Sequence, residues 1–356
     1  ESFPSKGFMA ALWAWLPDTE TVYADLKCDS HVDEAYLATI FGNVTSWKGM
    51  PLRWHVPGRA DGGVGFFSPL YWTQLTARHW EVPLTAVVLY LVAIPLLQHL
   101  VSKHGRFDVR NFAFGWNLFL SLFSWCGTVA CLPVIVGSLH EHGLYFTTCA
   151  PPSWYGSGVN GVFVILFIYS KIFELVDTGL LLLSNKPVII LQWWHHATVL
   201  LYCWHSYSVR IATGAWFAGM NYVVHSIMYG YFATTATRFR KRVAPYAIVV
   251  TSLQLLQMVV GMFITLKAVS YQMQGEECHV NKTNSLLGLV MYASYFVLFL
   301  NLFVKNYFVN PRGKKLHDEG PQSPSATELL ESPSSHQATK SLHARFSEPI
   351  LLKALL

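Results

Sequence analysis

Seven stretches of mainly apolar residues constrain this chain more than anything else in it. They fall at residues 82–101, 112–137, 158–183, 187–204, 211–236, 244–266 and 285–304. Each is close to the ~20 residues that a helix needs to cross the hydrocarbon core of a bilayer. Lipid offers no water to backbone N–H and C=O groups, so runs of this length become helices that satisfy those groups internally. Composition agrees, with 13% of residues charged and 53% hydrophobic, where a soluble domain carries about 25% charged residues. The expected fold is therefore an all-α membrane protein of seven transmembrane helices.

Basic residues in the short connections predict its orientation, because cytosolic loops carry the excess of Lys and Arg. One set of sides holds Lys103, Arg106, Arg110, Lys186, Arg238, Arg240, Lys241, Arg242, Lys305, Arg312, Lys314 and Lys315, and the alternate loops hold only Arg210, Lys267 and Lys282. The first set is read as cytosolic. That makes the N-terminus lumenal and the C-terminus cytosolic. The chain opens on Glu1 rather than Met and is read as trimmed at its start; residues 1–30 show no secretory signal of the usual form.

Three regions follow. Residues 1–80 form a lumenal N-terminal extension without strong periodicity, residues 81–310 the transmembrane domain, and residues 311–356 a cytosolic tail. The tail, with PQSPSATELLESPSSHQATK, is too polar to bury a core and is expected to be disordered. Six cysteines show no metal-ligand spacing. Cys149 and Cys278 fall in two loops on the predicted lumenal side, a compartment that permits a disulfide. Asn43-Val44-Thr45 and Asn281-Lys282-Thr283 are glycosylation sequons on that side.

Polar residues inside the spans are expensive, and they mark function by default. The third span carries Lys171, Glu174 and Asp177 at three-residue spacing, which places them on one helical face. The fourth carries Gln192, His195 and His196. The fifth carries Asn221 and His225 four residues apart, then Met228 and Tyr229. The sixth carries Thr251, Gln254 and Gln257. Counted from the predicted cytosolic edges, Glu174, His195, His225 and Gln254 all lie about 12–17 Å deep at ~1.5 Å per residue. One histidine on an apolar face is ordinarily a packing residue, whereas four helices sharing a polar layer describe a site.

Three histidines at this depth fit two kinds of chemistry. A metal centre is one, since imidazole is the commonest ligand, but Gln192 stands where a further ligand would be needed. Nucleophilic acyl transfer is the other: imidazole attacks a thioester and forms an acyl-imidazole. Cys203, two turns beyond His196, is too far along the helix to share a hydrogen bond with it. Asn221, Tyr229 and Gln254 can donate to a thioester or enolate oxygen.

The stretches KIFELVDT (171–178), QWWHH (192–196), NYVVHSIMYGYF (221–232) and TSLQLLQ (251–257) together resemble, in order and on successive spans, the signature motifs of the ELO family of very-long-chain fatty-acid elongases. The resemblance covers about residues 80–310. It implies seven helices enclosing an acyl-chain tunnel, in the endoplasmic reticulum membrane. It also implies condensation of a long-chain acyl-CoA with malonyl-CoA, releasing CO2 and CoA and leaving a 3-ketoacyl-CoA two carbons longer. His195 matches the box histidine taken as the acyl-accepting nucleophile, His196 would assist it, and His225 would act on malonyl-CoA decarboxylation or as acid/base. Lys171, Glu174, Asp177, Gln192, Asn221, Met228, Tyr229, Gln254 and Gln257 would shape the substrate site.

By the same resemblance the substrates acyl-CoA and malonyl-CoA are the ligands, with no separate cofactor, metal or nucleic acid. The partners would be the 3-ketoacyl-CoA reductase, dehydratase and enoyl reductase of the elongation cycle, together with membrane lipids. The sequence departs from the family box at Gln192, where the first histidine usually stands. Two other readings compete: a seven-helix receptor or transporter, and a metal-dependent lipid oxidase.

Overall fold

A computed structural model describes residues 46–48, 50–51 and 68–309. The sequon at Asn43 and the tail 311–356 lie outside the described residues. Two two-residue strands, β1 (Ser46–Trp47) and β2 (Met50–Pro51), pair antiparallel, and everything else of regular structure among the described residues is helical. Helix α1 (Pro69–Arg78) begins where the Ser68 hydroxyl accepts from the Tyr71 N–H at 3.3 Å and Pro69 enters the first turn. These features satisfy or remove donors that no helix can pair internally. The helices that follow are α2 (Glu81–His104), α3 (Arg110–Cys149), α4 (Ser153–Gly156), α5 (Gly158–Phe173), α6 (Val176–Leu183), α7 (Ile190–Ser208), α8 (Gly214–Thr235), α9 (Arg240–Val243), α10 (Ala247–Met273) and α11 (Lys282–Val304).

Among the described residues, five helical stretches are long and apolar enough to cross a membrane: Glu81–His104, Arg110–Cys149, Gly158–Leu183, Arg240–Met273 and Lys282–Val309. They make this a multi-pass membrane protein. The expectation was seven. Helices α7 and α8 have 19 and 22 residues but are absent from the apolar set, because their length is shared with Gln192, His195, His196, Asn221 and His225. Boundaries differ too. The second expected span, 112–137, is part of a helix that runs to Cys149 and bends at Gly143, whose φ of 78° departs from the helical region. The third is interrupted at Glu174–Leu175. There Leu175 N–H bonds to Ile172 C=O at 3.3 Å and Asp177 N–H to Glu174 C=O at 3.2 Å, a three-residue tightening of the kind that marks functional turns. Helix α1 lies within the expected 1–80 extension and is fastened to the helices by the Trp204 indole N–H, which donates to Thr76 C=O at 2.7 Å.

Packing closes the long helices into a ring, α7–α11–α10–α8–α3–α5 and back to α7, with α2 outside against α6 and α7. The α3–α8 contact is the most extensive. Small residues make it possible: the Tyr222 ring lies over Gly127 and Ile135 over Gly219, where even a Cβ would collide. In lipid such close packing replaces the hydrophobic drive that water would supply.

The two ends of the bundle are tied differently. At one, Phe107 N–H bonds to Leu183 C=O at 2.8 Å, and the Arg110 guanidinium donates twice to Ala236 C=O, at 2.9 and 2.7 Å. At the other, Cys149 and Cys278 form a disulfide. Beside it His279 N–H bonds to Cys149 C=O at 3.0 Å and Ala212 N–H to His279 C=O at 2.8 Å. Lys48 reaches this end, donating to Tyr145 Oη at 2.8 Å and pairing with Glu276 at 3.1 Å. The second sequon is built into the fold there: the Asn281 side chain caps α11 by accepting from Asn284 N–H at 2.8 Å, and Thr283 is buried.

Candidate active site

Five helices of the ring, α3, α7, α8, α10 and α11, together with α6, line one cavity of about 800 Å³, counting its open mouth. Asn117 comes from α3, Asp177 from α6, Gln192, His195 and His196 from α7, and Asn221, His225, Met228 and Tyr229 from α8. Gln254 and Gln257 come from α10 and Phe299 from α11. Ten of the residues singled out in the sequence thus line a common space. Lys171 and Glu174 do not line it; they sit immediately behind Asn221. The four-residue spacings explain the convergence within each helix, since i and i+4 stand one above the other on one face. The convergence between helices is a product of the ring.

Four hydrogen-bonded groups organise the walls. Lys171 Nζ, 2% exposed with its residue, donates to Glu174 Oε1 at 2.6 Å and to Asn221 Oδ1 at 3.0 Å. Ser170 adds a bond to the same carboxylate oxygen at 3.2 Å. A buried ion pair holds together only when its remaining valences are met, and Asn221 meets one of them. Asn221 Nδ2 in turn lies 3.1 Å from His225 Nε2. On α7, Gln192 Nε2 lies 3.0 Å from His196 Nε2 and 3.4 Å from the Thr178 hydroxyl, which contacts Tyr90 Oη of α2 at 2.9 Å. Asp177 accepts from the Trp116 indole N–H at 2.6 Å and from Tyr229 Oη–H at 2.7 Å. Gln254 Nε2 points at Met228 Sδ, 3.1 Å away.

His195 is set apart from the other two histidines. Among the described residues no amide holds its ring. It meets His196 nearly edge-on, with centroids 5.3 Å apart, and lies against the Tyr295 ring at 4.8 Å. Tyr295 also donates to the His195 carbonyl at 3.3 Å and shares a 2.6 Å bond with Thr198. Trp116, Asn117, Thr178, Tyr90 and Tyr295 were not singled out in the sequence. Asn117 could have been, as an amide in an otherwise apolar run. The others are residue types that any span carries, and only their contacts give them a role.

A second cavity, about 350 Å³, lies between α5, α7 and α8 and is walled by Val164, Phe167, Tyr202, Cys203 and Phe217 among others. Its lining is almost wholly apolar. Phe167 belongs to that wall, and Lys171 Nζ stands 4.2 Å from the centre of its ring. The ion pair thus lies between the polar cavity and the apolar one. Chemically, this offers one unrestrained imidazole, two amide-held imidazoles and several N–H and O–H donors beside an apolar void. Among the described residues no three His, Cys, Asp or Glu side chains are gathered as a metal's ligands would be.

Comparison with known proteins agrees on one family. Residues 75–315 match the family model described as ELO, the GNS1/SUR4 family. Fatty acid elongase 3 of Trypanosoma cruzi is 42% identical over 254 residues, covering 64% of this chain and 85% of that protein. Fatty acid elongase 3 of Trypanosoma brucei brucei is 36% identical over 282 residues, 72% of this chain and 93% of that protein. Very long chain fatty acid elongase 6 of Drosophila melanogaster is 35% identical over 271 residues, 74% of this chain and 85% of that protein.

Proposed function

From the premise that this chain belongs to the ELO family, in which the relatives above are named fatty acid elongases, we propose that it is a fatty acid elongase performing the condensing step. The observation that carries this reading is the single cavity shared by His195, His196, His225 and the amides around them, next to an apolar cavity suited to hydrocarbon. A long-chain acyl-CoA is the first substrate. A ring nitrogen of His195, whose imidazole no amide restrains, attacks the thioester carbonyl. The C–S bond breaks, the acyl group is held as an acyl-imidazole, and CoA leaves as the thiol with the ring's proton. Malonyl-CoA then enters. Its C–C bond to the carboxylate breaks, CO2 departs, and the electron pair forms an enolate. The enolate carbon attacks the acyl-imidazole carbonyl, the C–N bond breaks, and the departing ring nitrogen takes up a proton from solvent, returning the imidazole and releasing a 3-ketoacyl-CoA two carbons longer.

Donors around the cavity would stabilise the enolate oxygen, the kind of preorganised electrostatic help that is usually the largest catalytic contribution. The hydrocarbon tail would extend toward the apolar cavity past Lys171 and Phe167. The anionic CoA head would be drawn to the end of the bundle that carries Arg238, Arg240, Lys241 and Arg242. That end is taken as cytosolic by its charge, in an endoplasmic reticulum membrane, and the disulfide end as lumenal. On this reading α7 and α8 complete a seven-span bundle. The 3-ketoacyl product requires a reductase, a dehydratase and an enoyl reductase to act after it.

The test is incorporation of label from radiolabelled malonyl-CoA into a 3-ketoacyl product, without NADPH, across a panel of acyl-CoA chain lengths. Wild-type protein should incorporate label, and His195→Ala should lose it while remaining folded and monodisperse. Absence of product with every chain from folded wild-type protein overturns the reading.

A further inference from the structure

We propose that Lys171 and Asn221 fix His225 as a neutral imidazole protonated on Nδ1, which makes this residue a hydrogen-bond donor to the substrate and not a base acting through Nε2. The reasoning is a count of donors and acceptors. An ammonium has three N–H donors and no acceptor, and Lys171 is paired with the Glu174 carboxylate at 2.6 Å. The Asn221 atom 3.0 Å from Lys171 Nζ must therefore be the carbonyl oxygen. That orients the whole amide. Its NH2 is then the group 3.1 Å from His225 Nε2, and an NH2 can only donate. Nε2 must accept, so it carries no proton. An imidazolium has no acceptor nitrogen, so the ring is neutral and its one proton is on Nδ1.

His225 lines the polar cavity, and among the described residues Nδ1 has no hydrogen-bond partner. The proton is thus left available to whatever occupies the cavity. The same i, i+4 pairing recurs at Gln192 and His196. There the amide's other neighbour, the Thr178 hydroxyl, can either donate or accept, so it imposes no orientation. The Lys171–Asn221 pair is what makes the His225 case determinate. Resting on the condensing reaction proposed above, His225 then donates Nδ1–H to the thioester oxygen of malonyl-CoA as decarboxylation turns it into an enolate oxygen. Asn221 and Lys171 are positioning residues that set the tautomer without touching the reacting atoms.

The experiment reads the tautomer directly. Full-length protein labelled with 13C,15N-histidine is studied in lipid bilayers by solid-state NMR, with His225 identified by the signals missing from His225→Gln and, independently, by sequential assignment in the wild type. The expected result is a neutral Nδ1–H ring. Asn221→Asp is close to isosteric but presents only acceptors, so it should turn the ring to Nε2–H. It should also lower kcat about 10²–10³-fold, the usual cost of one lost oxyanion donor, with the acyl-CoA KM unchanged. An Nε2–H ring or an imidazolium in the wild type overturns the proposal. So does an unaltered tautomer in a folded Asn221→Asp protein. Failure of condensation in wild type would remove the elongase reading while leaving the tautomer assignment to stand or fall on its own spectrum.

Discussion

Asp177 shows how much one side chain depends on neighbours that its own helix does not supply. Its carboxylate is held by Trp116 from α3 and Tyr229 from α8. Buried hydrogen bonds to a charged group are worth about 1.5–3 kcal/mol each. Trp116→Phe keeps the ring and deletes the donor, so it should lower stability by about that amount and turnover about tenfold. Thermal unfolding in detergent and label incorporation from malonyl-CoA check the two effects; an unchanged midpoint would mean that the bond contributes nothing net. Polar spacing put Asp177 on the same face as Lys171 in the sequence. The structure separates them across the turn at Glu174–Leu175, with Asp177 in the cavity wall and Lys171 behind Asn221. Periodicity continues through a tightened turn only on paper, since each three-residue step rotates the following residues away from the ideal face.

At the scale of the elements, the helix pair α3–α8 shapes the cavity by how closely its backbones approach. Gly127 lies under the Tyr222 ring, and that ring's hydroxyl donates to Phe163 C=O at 2.8 Å, linking α8 to α5. Gly127→Val should push the helices apart at a cost of about 1–3 kcal/mol, the usual range for overpacking. Gly115→Ala on the same helix meets nothing within 4 Å and should leave the thermal midpoint unchanged or slightly raised, because alanine is the better helix former. Comparable midpoints for the two variants would refute the close-approach argument. Helices α7 and α8 fall outside the set apolar enough to cross a membrane for the reason that makes them interesting. Their inward faces are spent on the site, and neighbouring helices cover them, so they need less apolar surface of their own.

The whole molecule is fastened at the end where Cys149 and Cys278 join the α3 terminus to the α10–α11 connection across 129 residues of sequence. Cys149→Ser should cost about 2–4 kcal/mol, the typical contribution of a disulfide closing a long loop. Reduction of the wild type should give the same drop in midpoint and leave the mutant unaffected. A pH dependence belongs to the same end. Burial holds the His279 imidazole below its usual value of 6.5, against the opposing pull of Glu277 at 3.3 Å. A base with a depressed folded value is protonated first in the unfolded chain. Its contribution is therefore constant above about pH 6.5 and is lost as pH falls below it. His279→Gln should flatten the midpoint between pH 7 and 5.5; an identical slope would assign the acid sensitivity elsewhere. The sequence by itself determined that this is a helical membrane chain, which helices carry polar groups, the family, and ten of the cavity's residues. Each of these rests on composition or on spacing along one helix, and both are local. Only the tertiary structure decided that α7 and α8 sit in a ring with α2 outside it, that Lys171 orients Asn221, and that Trp116, Thr178 and Tyr295 support the site. Those facts depend on which helix faces which, and in lipid that choice is made by interhelical packing and hydrogen bonds between distant residues, which no single segment encodes.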